Sequence, residues 1–483
     1  MNYSVVRYIL GWVMIIEAAF MLVSCGVAVL YGEHEGFSFL WTLLGAAAIG
    51  GLIVYKKPTD MNFYVKEGFV TVALSWILLS VVGCLPFVIS GEIPNFTDAL
   101  FETVSGFTTT GSSVVSDVEA MSRCSLFWRC FTNWLGGMGV LVFILAIVPM
   151  AGGSHMNLMK AESPGPSVGK LVPRVRQTAI ILYGIYIFMT VLEIIFLLFG
   201  GMSLFDAMTT SFSTAGTGGF GIYNDSFGSV SPYIQWVVTI FLILFGVNFG
   251  VYFLLIMRRF KQAFCHEEAR VYFVIIVSAV VVIAINIRDY FDTVGECIRH
   301  SAFQVSSIIT TAGFASTDFN LWPDTSKTVL ILLMFIGACA GSTGGGIKVS
   351  RIIILVKTMF KEIISYLHPR SVKKIKVEGK ALEHETLRAT NVYMITYIIL
   401  FSLSVFLISF EGKGLVTDFT SVTACINNIG PGFDMVGPMS NFAHFNAFSK
   451  YVLIFDMLVG RLELFPMLLL FCPSIWKPTK NRI

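Results

Sequence analysis

The sequence predicts an all-α, multi-pass membrane protein in which an N-terminal helix pair precedes four similar repeats around one pore. The 483 residues are 55% hydrophobic and 13% charged, with a mean hydropathy of +0.77, and apolar stretches long enough to cross a bilayer recur along the chain. Glycine-centred loops also recur about every hundred residues, which is typical of an internal repeat. The glycines taken as equivalent are Gly111, Gly218, Gly313 and Gly430.

The N-terminal pair consists of two apolar stretches, residues 5–31 and 37–55, joined by an acidic turn. Lys56, Lys57 and Lys66 follow the second stretch. Because basic residues mark the cytoplasmic side of a membrane protein, we expect this end of the pair to lie inside, and the N-terminus with it. Residues 1–60 are therefore predicted to form a separate transmembrane pair.

Each of the four repeats that follow is predicted to contain a first helix, a half-helix, a loop and a second helix. The repeats are expected at residues 66–160, 177–262, 268–365 and 388–483, with a basic cytoplasmic loop at 366–387. The first helices are predicted at 68–90, 178–199, 271–287 and 392–408, and the second helices at 125–150, 234–257, 328–355 and 448–471. The half-helices are predicted at 95–107, 203–212, 294–309 and 415–425.

The half-helices are too short to cross a bilayer. About 12 residues rise only about 18 Å as a helix, against a hydrocarbon thickness of roughly 30 Å, so each half-helix must return to the face it entered. Lipid cannot satisfy exposed backbone groups, so the loops are expected to be surrounded by protein or to line a cavity. Basic residues concentrate in the connections on the other side, which predicts that all four loops lie in the outer half and both termini inside.

The charged and metal-binding residue types exclude several classes of function. The net charge of +3 does not indicate nucleic acid as a partner, because the 33 Lys and Arg residues lie between apolar spans instead of forming one patch. The nine cysteines lack CxxC or CxxH spacing and the seven histidines are dispersed, so no metal centre is expected. No nucleophile is paired with a base, which argues against an enzyme. The partner that the composition indicates is the lipid bilayer.

The loops carry the residue types that a selectivity filter needs. Backbone carbonyls replace the hydration shell of a cation without adding charge, and glycine allows the positive φ angles that such a turn requires. The C-terminal end of a half-helix adds partial negative charge. An ordinary glycine turn would explain one such loop, but not four in equivalent positions. The candidate ion-binding residues are Thr109, Thr110 and Gly111; Gly216, Thr217 and Gly218; Thr311, Ala312 and Gly313; and Asn428, Ile429 and Gly430.

A glycine-rich stretch, residues 341–346, interrupts the second helix of repeat 3. Each glycine in a helix costs about 1 kcal/mol relative to alanine, so the helix is expected to break there. A Walker phosphate loop is the competing interpretation. That motif needs adjacent glycine and lysine, whereas here Ile347 separates Gly346 from Lys348.

Arg461 lies inside the last predicted span. An arginine within a membrane usually faces the interior of the helix bundle or water. The alternatives are a side chain that reaches to the inner membrane surface, or one that pairs with Glu463 or Asp456.

Several stretches together resemble a known family. They are DALFET (98–103) leading to Gly111, FWR (127–129) with NWLGGMG (133–139), STAGTGGF (213–220), AGSTGGG (340–346) and NNIGPG (427–432). This pattern resembles the Trk/Ktr/HKT superfamily of potassium transporters, and more closely its Trk-type membrane subunits, over essentially the whole chain. The N-terminal helix pair agrees with the Trk type, because the shorter Ktr-type members lack it.

The resemblance implies a function and partners. Potassium would be the transported ion, with no organic cofactor, and uptake would cross the cytoplasmic (inner) membrane of a prokaryote. The protein would be a homodimer with one pore in each subunit, docked on its inner face to a ring of nucleotide-binding subunits of the Trk A type. Some relatives with serine in the first loop favour sodium, so Gly111 indicates potassium.

The resemblance also implies roles for the later features. The glycine-rich stretch would be an intramembrane loop that gates the pore, and Arg461 would raise a barrier to cations below the filter. The alternatives are a sodium-coupled or sodium-permeable cation transporter, and a symporter for another solute, whose inverted halves would bring half-helix N-termini to the site. The gate residues would be Gly341, Ser342, Thr343, Gly344, Gly345, Gly346 and Lys348.

Overall fold

The computed structural model describes residues 1–59, 64–139, 175–369 and 374–476, and these residues are mostly helical. Six of their helices are long and apolar enough to cross a membrane, or seven if one sharply bent pair counts as a single span. The predicted all-α, multi-pass architecture is confirmed. Within the described ranges, the only strands are β1 (Lys376–Val377) and β2 (Lys380–Ala381), an antiparallel pair between repeats 3 and 4.

The described residues contain eighteen α-helices. In chain order they are α1 (Tyr3–Tyr31), α2 (Gly36–Tyr55), α3 (Val65–Ser90), α4 (Phe96–Phe107), α5 (Arg123–Gly137), α6 (Val175–Phe199), α7 (Leu204–Gly216), α8 (Pro232–Phe245), α9 (Phe249–Ile256), α10 (Phe260–Phe264), α11 (Glu267–Asn286), α12 (Val294–Ile309), α13 (Asp324–Ile336), α14 (Val349–Leu367), α15 (His384–Ser409), α16 (Leu415–Ile426), α17 (Ala447–Arg461) and α18 (Phe465–Leu470).

The N-terminal helices α1 and α2 form a hairpin, as predicted. The Asn2 side chain caps α1 by accepting the Val5 N–H, and Gly32 ends α1 in the left-handed conformation that glycine favours. The two helices touch through small residues: a Cβ added to Gly50 would lie 2.8 Å from the Gly11 carbonyl oxygen. Glycine at these positions therefore lets the two backbones pack in direct contact.

The half-helices α4, α7, α12 and α16 are pore helices 1 to 4. Each carries an acidic residue in its first turn, which complements the partial positive charge of a helix N-terminus. These residues are Asp98, Asp206, Glu296 and Asp418. Pore helices 1, 3 and 4 match their predicted bounds to within one residue. Pore helix 2 is longer than predicted, because it continues past residue 212 to Gly216.

The second helices depart most from the prediction. The continuous spans predicted at 234–257 and 448–471 are wrong, since each is broken near its middle. The first bends by 88° between α8 and α9, and the second stops at the end of α17 and resumes in α18. In repeat 3 the break predicted at 341–346 is present but wider, running from residue 337 to 348. In repeat 1, α5 ends at Gly137, and the predicted span beyond residue 139 lies outside the described residues.

A close packing contact accompanies one unexpected break, and a change of backbone conformation marks the other. The hydroxyl of Tyr272 on α11 occupies the place where a Cβ on Gly246 would stand, so the close approach of α11 coincides with the bend. After α17, Glu463 and Leu464 both adopt positive φ angles (56° and 69°), a conformation that cannot continue a right-handed helix. Helix-forming residue types did not prevent this turn, because tertiary contacts outweigh helix propensity.

Candidate functional site

The pore helices end in four short loops with the same backbone shape. We define them as loop 1 (108–111), loop 2 (216–219), loop 3 (310–313) and loop 4 (427–430). The second residue of each loop has a positive φ although it is not glycine: Thr109 (54°), Thr217 (51°), Thr311 (62°) and Asn428 (55°). The fourth residue is a glycine with positive φ: Gly111 (81°), Gly219 (74°), Gly313 (80°) and Gly430 (102°).

One hydrogen bond recurs at the end of every pore helix. The N–H of the third loop residue donates to the carbonyl five residues earlier, which caps a helix with a left-handed turn. The four bonds are Thr110 to Ser105 (2.8 Å), Gly218 to Ser213 (2.8 Å), Ala312 to Ser307 (2.8 Å) and Ile429 to Ala424 (2.9 Å). The sequences differ, yet the four turns have one geometry.

The loops meet in a ring. A Cβ added to Gly430 of loop 4 would lie 2.9 Å from the Thr110 carbonyl oxygen of loop 1. The same contact joins each other glycine to the next loop: Gly111 to the carbonyl of Gly218, Gly219 to that of Ala312, and Gly313 to that of Ile429. The contacts therefore run from loop 1 through loops 2 and 3 to loop 4 and back. The prediction that four loops gather around one axis is confirmed.

The predicted alignment of loop 2 is wrong by one residue. The glycine equivalent to Gly111 is Gly219, because Gly219 has the positive φ and touches the next carbonyl. Gly218 is small for another reason: a Cβ there would overlap the side-chain amide of Asn133. Gly216 ends pore helix 2 and corresponds to Thr108. Two adjacent glycines fit the repeat equally well in the sequence, and only the backbone distinguishes them.

Side chains tie loops 1 and 4 together. The Asn428 amide donates to the Thr110 hydroxyl (2.9 Å) and to the Met457 carbonyl of α17 (2.9 Å). In return, the Ser112 hydroxyl donates to the Gly430 carbonyl (2.9 Å). All these side chains are buried, so the bonds are not exchanged with water and hold the ring in place.

A cavity of about 140 Å³ opens on the ring. All four loop glycines line it, together with the segments that follow loops 1, 2 and 4. This volume exceeds that of a single water molecule. The cavity therefore has room for water next to the ring.

The broken second helix of repeat 3 supplies a segment that lies against the loops. We call residues 337–348 the glycine segment. Its Gly345 N–H donates to the Thr311 hydroxyl of loop 3 (2.6 Å), and its Thr343 hydroxyl lies 3.4 Å from that of Thr217 in loop 2. A Cβ on Gly344 would lie 2.8 Å from the Thr310 carbonyl oxygen, so this glycine permits the close approach. The segment lies between two helices, whereas a Walker loop follows a strand.

Glu268, at the start of α11, binds both the glycine segment and the first turn of α14, which follows it. One carboxylate oxygen accepts the N–H of Ala340 (2.7 Å) and that of Ser350 (3.0 Å). Inside the segment, the buried Lys348 ammonium donates to the Gly344 carbonyl. Glu268 is not among the residues predicted from the sequence. The one available signal was an acidic pair, residues 267–268, that opens a span on the basic side of the membrane.

Arg461 bridges three repeats. From the end of α17 in repeat 4, its guanidinium donates to the Thr343 carbonyl of the glycine segment (2.9 Å). It also donates to the carbonyls of Gly136 and Gly137 (3.0 Å for Gly137), where α5 of repeat 1 ends. The acids named as possible partners bind other groups: Glu463 pairs with Arg351, and Asp456 accepts the Ser404 hydroxyl (2.7 Å). Arg461 therefore faces the bundle interior, against the glycine segment.

Four half-helices whose C-terminal turns form a ring inside a bundle of apolar helices define a four-repeat, pore-loop membrane protein. The chain belongs to the TrkH family of cation transport proteins, because the sequence model of that family matches residues 36–478. The likeness to Trk-type membrane subunits, inferred from the motifs, is thereby confirmed.

Named relatives agree with the family over the full length. The chain is 37% identical to the Trk system potassium uptake protein TrkH of Salmonella typhimurium, over 99% of this chain and 100% of the relative. It is 33% identical to the Trk system potassium uptake protein TrkG of Escherichia coli K12, over 98% of each. The crystal structure of the potassium transporter TrkH from Vibrio parahaemolyticus is similar with a TM-score of 0.86 and 32% identity, over 99% of this chain and 100% of that chain.

Proposed function

We propose that this chain carries potassium into a prokaryotic cell across the cytoplasmic membrane, with loops 1 to 4 as its selectivity filter. The observation that carries the proposal is the ring in which each loop glycine touches a carbonyl of the next loop. The names of the relatives, which are potassium uptake proteins, support potassium as the ion. The basic residues of the connections between spans support an orientation with the loops outside and both termini inside.

In this proposal the loop cavity receives hydrated potassium from outside. Carbonyl oxygens of the ring then replace water around the ion, as in other filters built from backbone. The loop glycines contact the carbonyls of the third loop residues and so limit the spacing of these carbonyls. They are the carbonyls of Thr110, Gly218, Ala312 and Ile429. The C-terminal ends of four pore helices add partial negative charge next to the ion. No side-chain charge is required at the ring.

The glycine segment is proposed to be the gate. Its contacts with Thr217 and Thr311 put it directly against loops 2 and 3, so an ion that leaves the ring meets it first. Arg461 adds a positive charge at the same level and is bonded to the segment through Thr343. Passage requires the segment to move and the arginine bonds to shift. The membrane potential supplies about 2.3 kcal/mol per charge per 100 mV for inward flow.

A cytoplasmic regulator fits this arrangement. Helix α14 begins where the glycine segment ends and leads to the basic loop at 366–387. Movement of that loop by a docked ring of nucleotide-binding subunits would be transmitted to the gate through one helix. We propose this ring as the partner of a homodimer, with a pore in each subunit.

The variant Gly111→Ser tests the filter. A side chain at Gly111 would overlap the Gly218 carbonyl oxygen and would require a left-handed backbone, which costs about 1–3 kcal/mol outside glycine. We expect the ratio of potassium to sodium entry into proteoliposomes to fall at least about tenfold, since a distorted ring no longer favours the larger ion. Initial rates of both ions under an inside-negative potential measure the ratio.

Gly91→Ser is the matched control. Gly91 lies at the end of α3 in the same repeat and has a similar φ of 79°, but a Cβ there would meet nothing within 4 Å. It therefore carries the backbone strain without the overlap, and we expect its ion ratio to match the parent protein. An unchanged ratio and unchanged potassium uptake in Gly111→Ser would show that these loops are not the filter.

A further inference from the structure

A buried ion pair lies behind loop 1. Arg129 of α5 donates to Glu102 of pore helix 1 through Nε (2.8 Å) and through Nη2. The two side chains are 2% and 0% exposed, which is unusual for charged residues. Taking two charges out of water is costly, so such a pair is weak evidence for stability alone.

The pair joins the segments that leave loops 1 and 2. The second oxygen of Glu102 accepts the Val114 N–H (2.9 Å) and the Ser113 hydroxyl (3.1 Å), both downstream of loop 1. The Arg129 guanidinium lies 4.3 Å from the centre of the Phe220 ring, and it donates to the Gly221 carbonyl (3.4 Å) downstream of loop 2. One ion pair thus fixes both segments where they border the loop cavity.

The other three repeats lack this charge. Counting seven residues back from the second loop residue gives Glu102 in repeat 1 and Thr210, Gln304 and Ser421 in repeats 2, 3 and 4. Loops 3 and 4 are braced instead by neutral bonds: Ser307 donates to the Phe314 carbonyl (2.6 Å), and Thr420 accepts the Phe433 N–H (3.0 Å). In the part of the chain that the structure describes, a buried ion pair behind the loops is therefore found only at the junction of loops 1 and 2.

We propose that Glu102 and Arg129 are specificity-determining positioning residues, which fix the spacing of loops 1 and 2 and so keep the ring from contracting around sodium. This inference rests on the proposed function of the loops as a filter. At this junction the loop 1 glycine rests on the Gly218 carbonyl, so any approach of the two downstream segments changes the ring itself. Charge-assisted hydrogen bonds in a buried site are the strongest that side chains form. The Glu102–Arg129 pair is therefore suited to hold the ring at a width that a small, strongly hydrated ion does not fill.

The test uses Glu102→Gln, which keeps the shape of the side chain but replaces an acceptor oxygen with a donor that faces other donors. We expect the potassium to sodium ratio in proteoliposomes to fall about tenfold, the loss expected when a buried charge-assisted bond is removed. Sodium entry should rise while potassium entry stays within about twofold of the parent, a split that general unfolding does not produce.

Asp98→Asn is the matched control. Asp98 lies on the same pore helix and forms an ion pair with Lys450 of α17 (2.6 Å), but at the end of the helix away from the loops. We expect this variant to keep the parent ion ratio. A ratio that falls equally in both variants would overturn the proposal, because it would make the effect a general one of pore helix 1.

A second variant covers the case in which Glu102→Gln leaves Arg129 uncompensated and the protein fails to fold. The double variant Glu102→Gln with Arg129→Met removes both charges, which is tolerated better than removing one. We expect it to assemble and still to admit sodium; a parent-like ratio would overturn the proposal. Gly111→Ser in the same assay distinguishes this proposal from the proposed function of the loops. If Gly111→Ser alters the ion ratio while the Glu102 and Arg129 variants do not, the positioning role is wrong and the filter role is retained. If none of these variants alters the ratio, the filter role is wrong as well.

Discussion

The four repeats are alike at the loops and unlike in the inner parts of their second helices. All four loops have positive φ angles at their second and fourth residues, and all four have the same capping hydrogen bond. In the second helices, α5 ends at Gly137, α8 and α9 meet at 88°, the glycine segment separates α13 from α14, and α17 stops at Arg461. In the proposed function one ion would contact all four loops at once, and there the repeats share one geometry, whereas their second helices differ.

The difference suggests that the loops and the second helices have separate roles. Four equal turns can form a ring of carbonyls only if every repeat keeps the same geometry, so changes there are expected to damage selectivity whichever repeat they fall in. A gate needs only one moving part, and among the described residues it is repeat 3 that inserts a long segment against the ring. Repeat 4 contributes Arg461, and repeat 1 contributes the carbonyls that accept its hydrogen bonds. Changes on this side are expected to alter flux and to spare selectivity.

The largest effect is expected from Gly219→Ser, which tests whether repeat 2 obeys the same rule as repeat 1. A Cβ there would overlap the Ala312 carbonyl oxygen of loop 3, and the residue has a φ of 74°. With strain of about 1–3 kcal/mol added to the overlap, we expect the potassium to sodium ratio to fall about 10- to 100-fold. Relative entry rates of the two ions into proteoliposomes measure it.

Gly201→Ser is the control for this variant. Gly201 precedes pore helix 2 with a φ of 87°, and a Cβ there would meet nothing within 4 Å. Selectivity should be unaffected. If Gly219→Ser behaved like this control, loop 2 would not share the geometry of the ring in the working protein.

Loop 2 also shows which features of the structure could be predicted from the sequence and which could not. The existence of the helices could be predicted, because length and apolarity decide whether a segment crosses a bilayer, and half-helices are recognisable by being too short. The four loops could be found from their recurring glycines. The exact position in loop 2 could not, since Gly218 and Gly219 are small for different reasons: one packs against Asn133 and the other against a carbonyl.

The breaks in the second helices mark the other limit. The glycines of the stretch 341–346 predicted a break in the helix, whereas residues 462–464 are of types that favour helices. That turn accompanies a long-range contact, the pairing of Glu463 with Arg351, which sequence periodicity does not contain. Glu268 was overlooked for the same reason: its role depends on backbone N–H groups more than 70 residues away.

A smaller effect is expected from the charge below the ring. Arg461→Gln removes the positive charge, whereas Arg461→Lys keeps it without the planar fork that reaches three carbonyls. If the charge is the barrier, a decrease of about 1.4 kcal/mol raises potassium flux about tenfold in the glutamine variant and leaves the lysine variant near the parent. Potassium flux without the cytoplasmic partner measures this, and the ion ratio should stay constant. Equal increases in both variants would instead indicate that the bonds, not the charge, close the pore.

The smallest effect is expected from Glu268→Gln, which loosens the glycine segment without touching the ring. The glutamine oxygen can still accept the N–H groups of Ala340 and Ser350, but bonds to a carboxylate are roughly twice as strong as those to a neutral amide. A weakening of about 0.5–1 kcal/mol raises the open fraction of a closed gate about two- to fivefold. We therefore expect partner-free potassium flux to rise by that factor, with selectivity unchanged.

The neighbouring Glu267→Gln separates anchoring from a general effect at the start of α11. Glu267 pairs with Lys357 of α14 and with the N–H of Glu378, and both it and Lys357 are partly exposed, so its loss should cost little. Flux that rises only in the Glu268 variant would tie the gate to its two backbone anchors. Flux that rises equally in both would mean that the packing of α11 against α14, and not the glycine segment itself, sets the closed state.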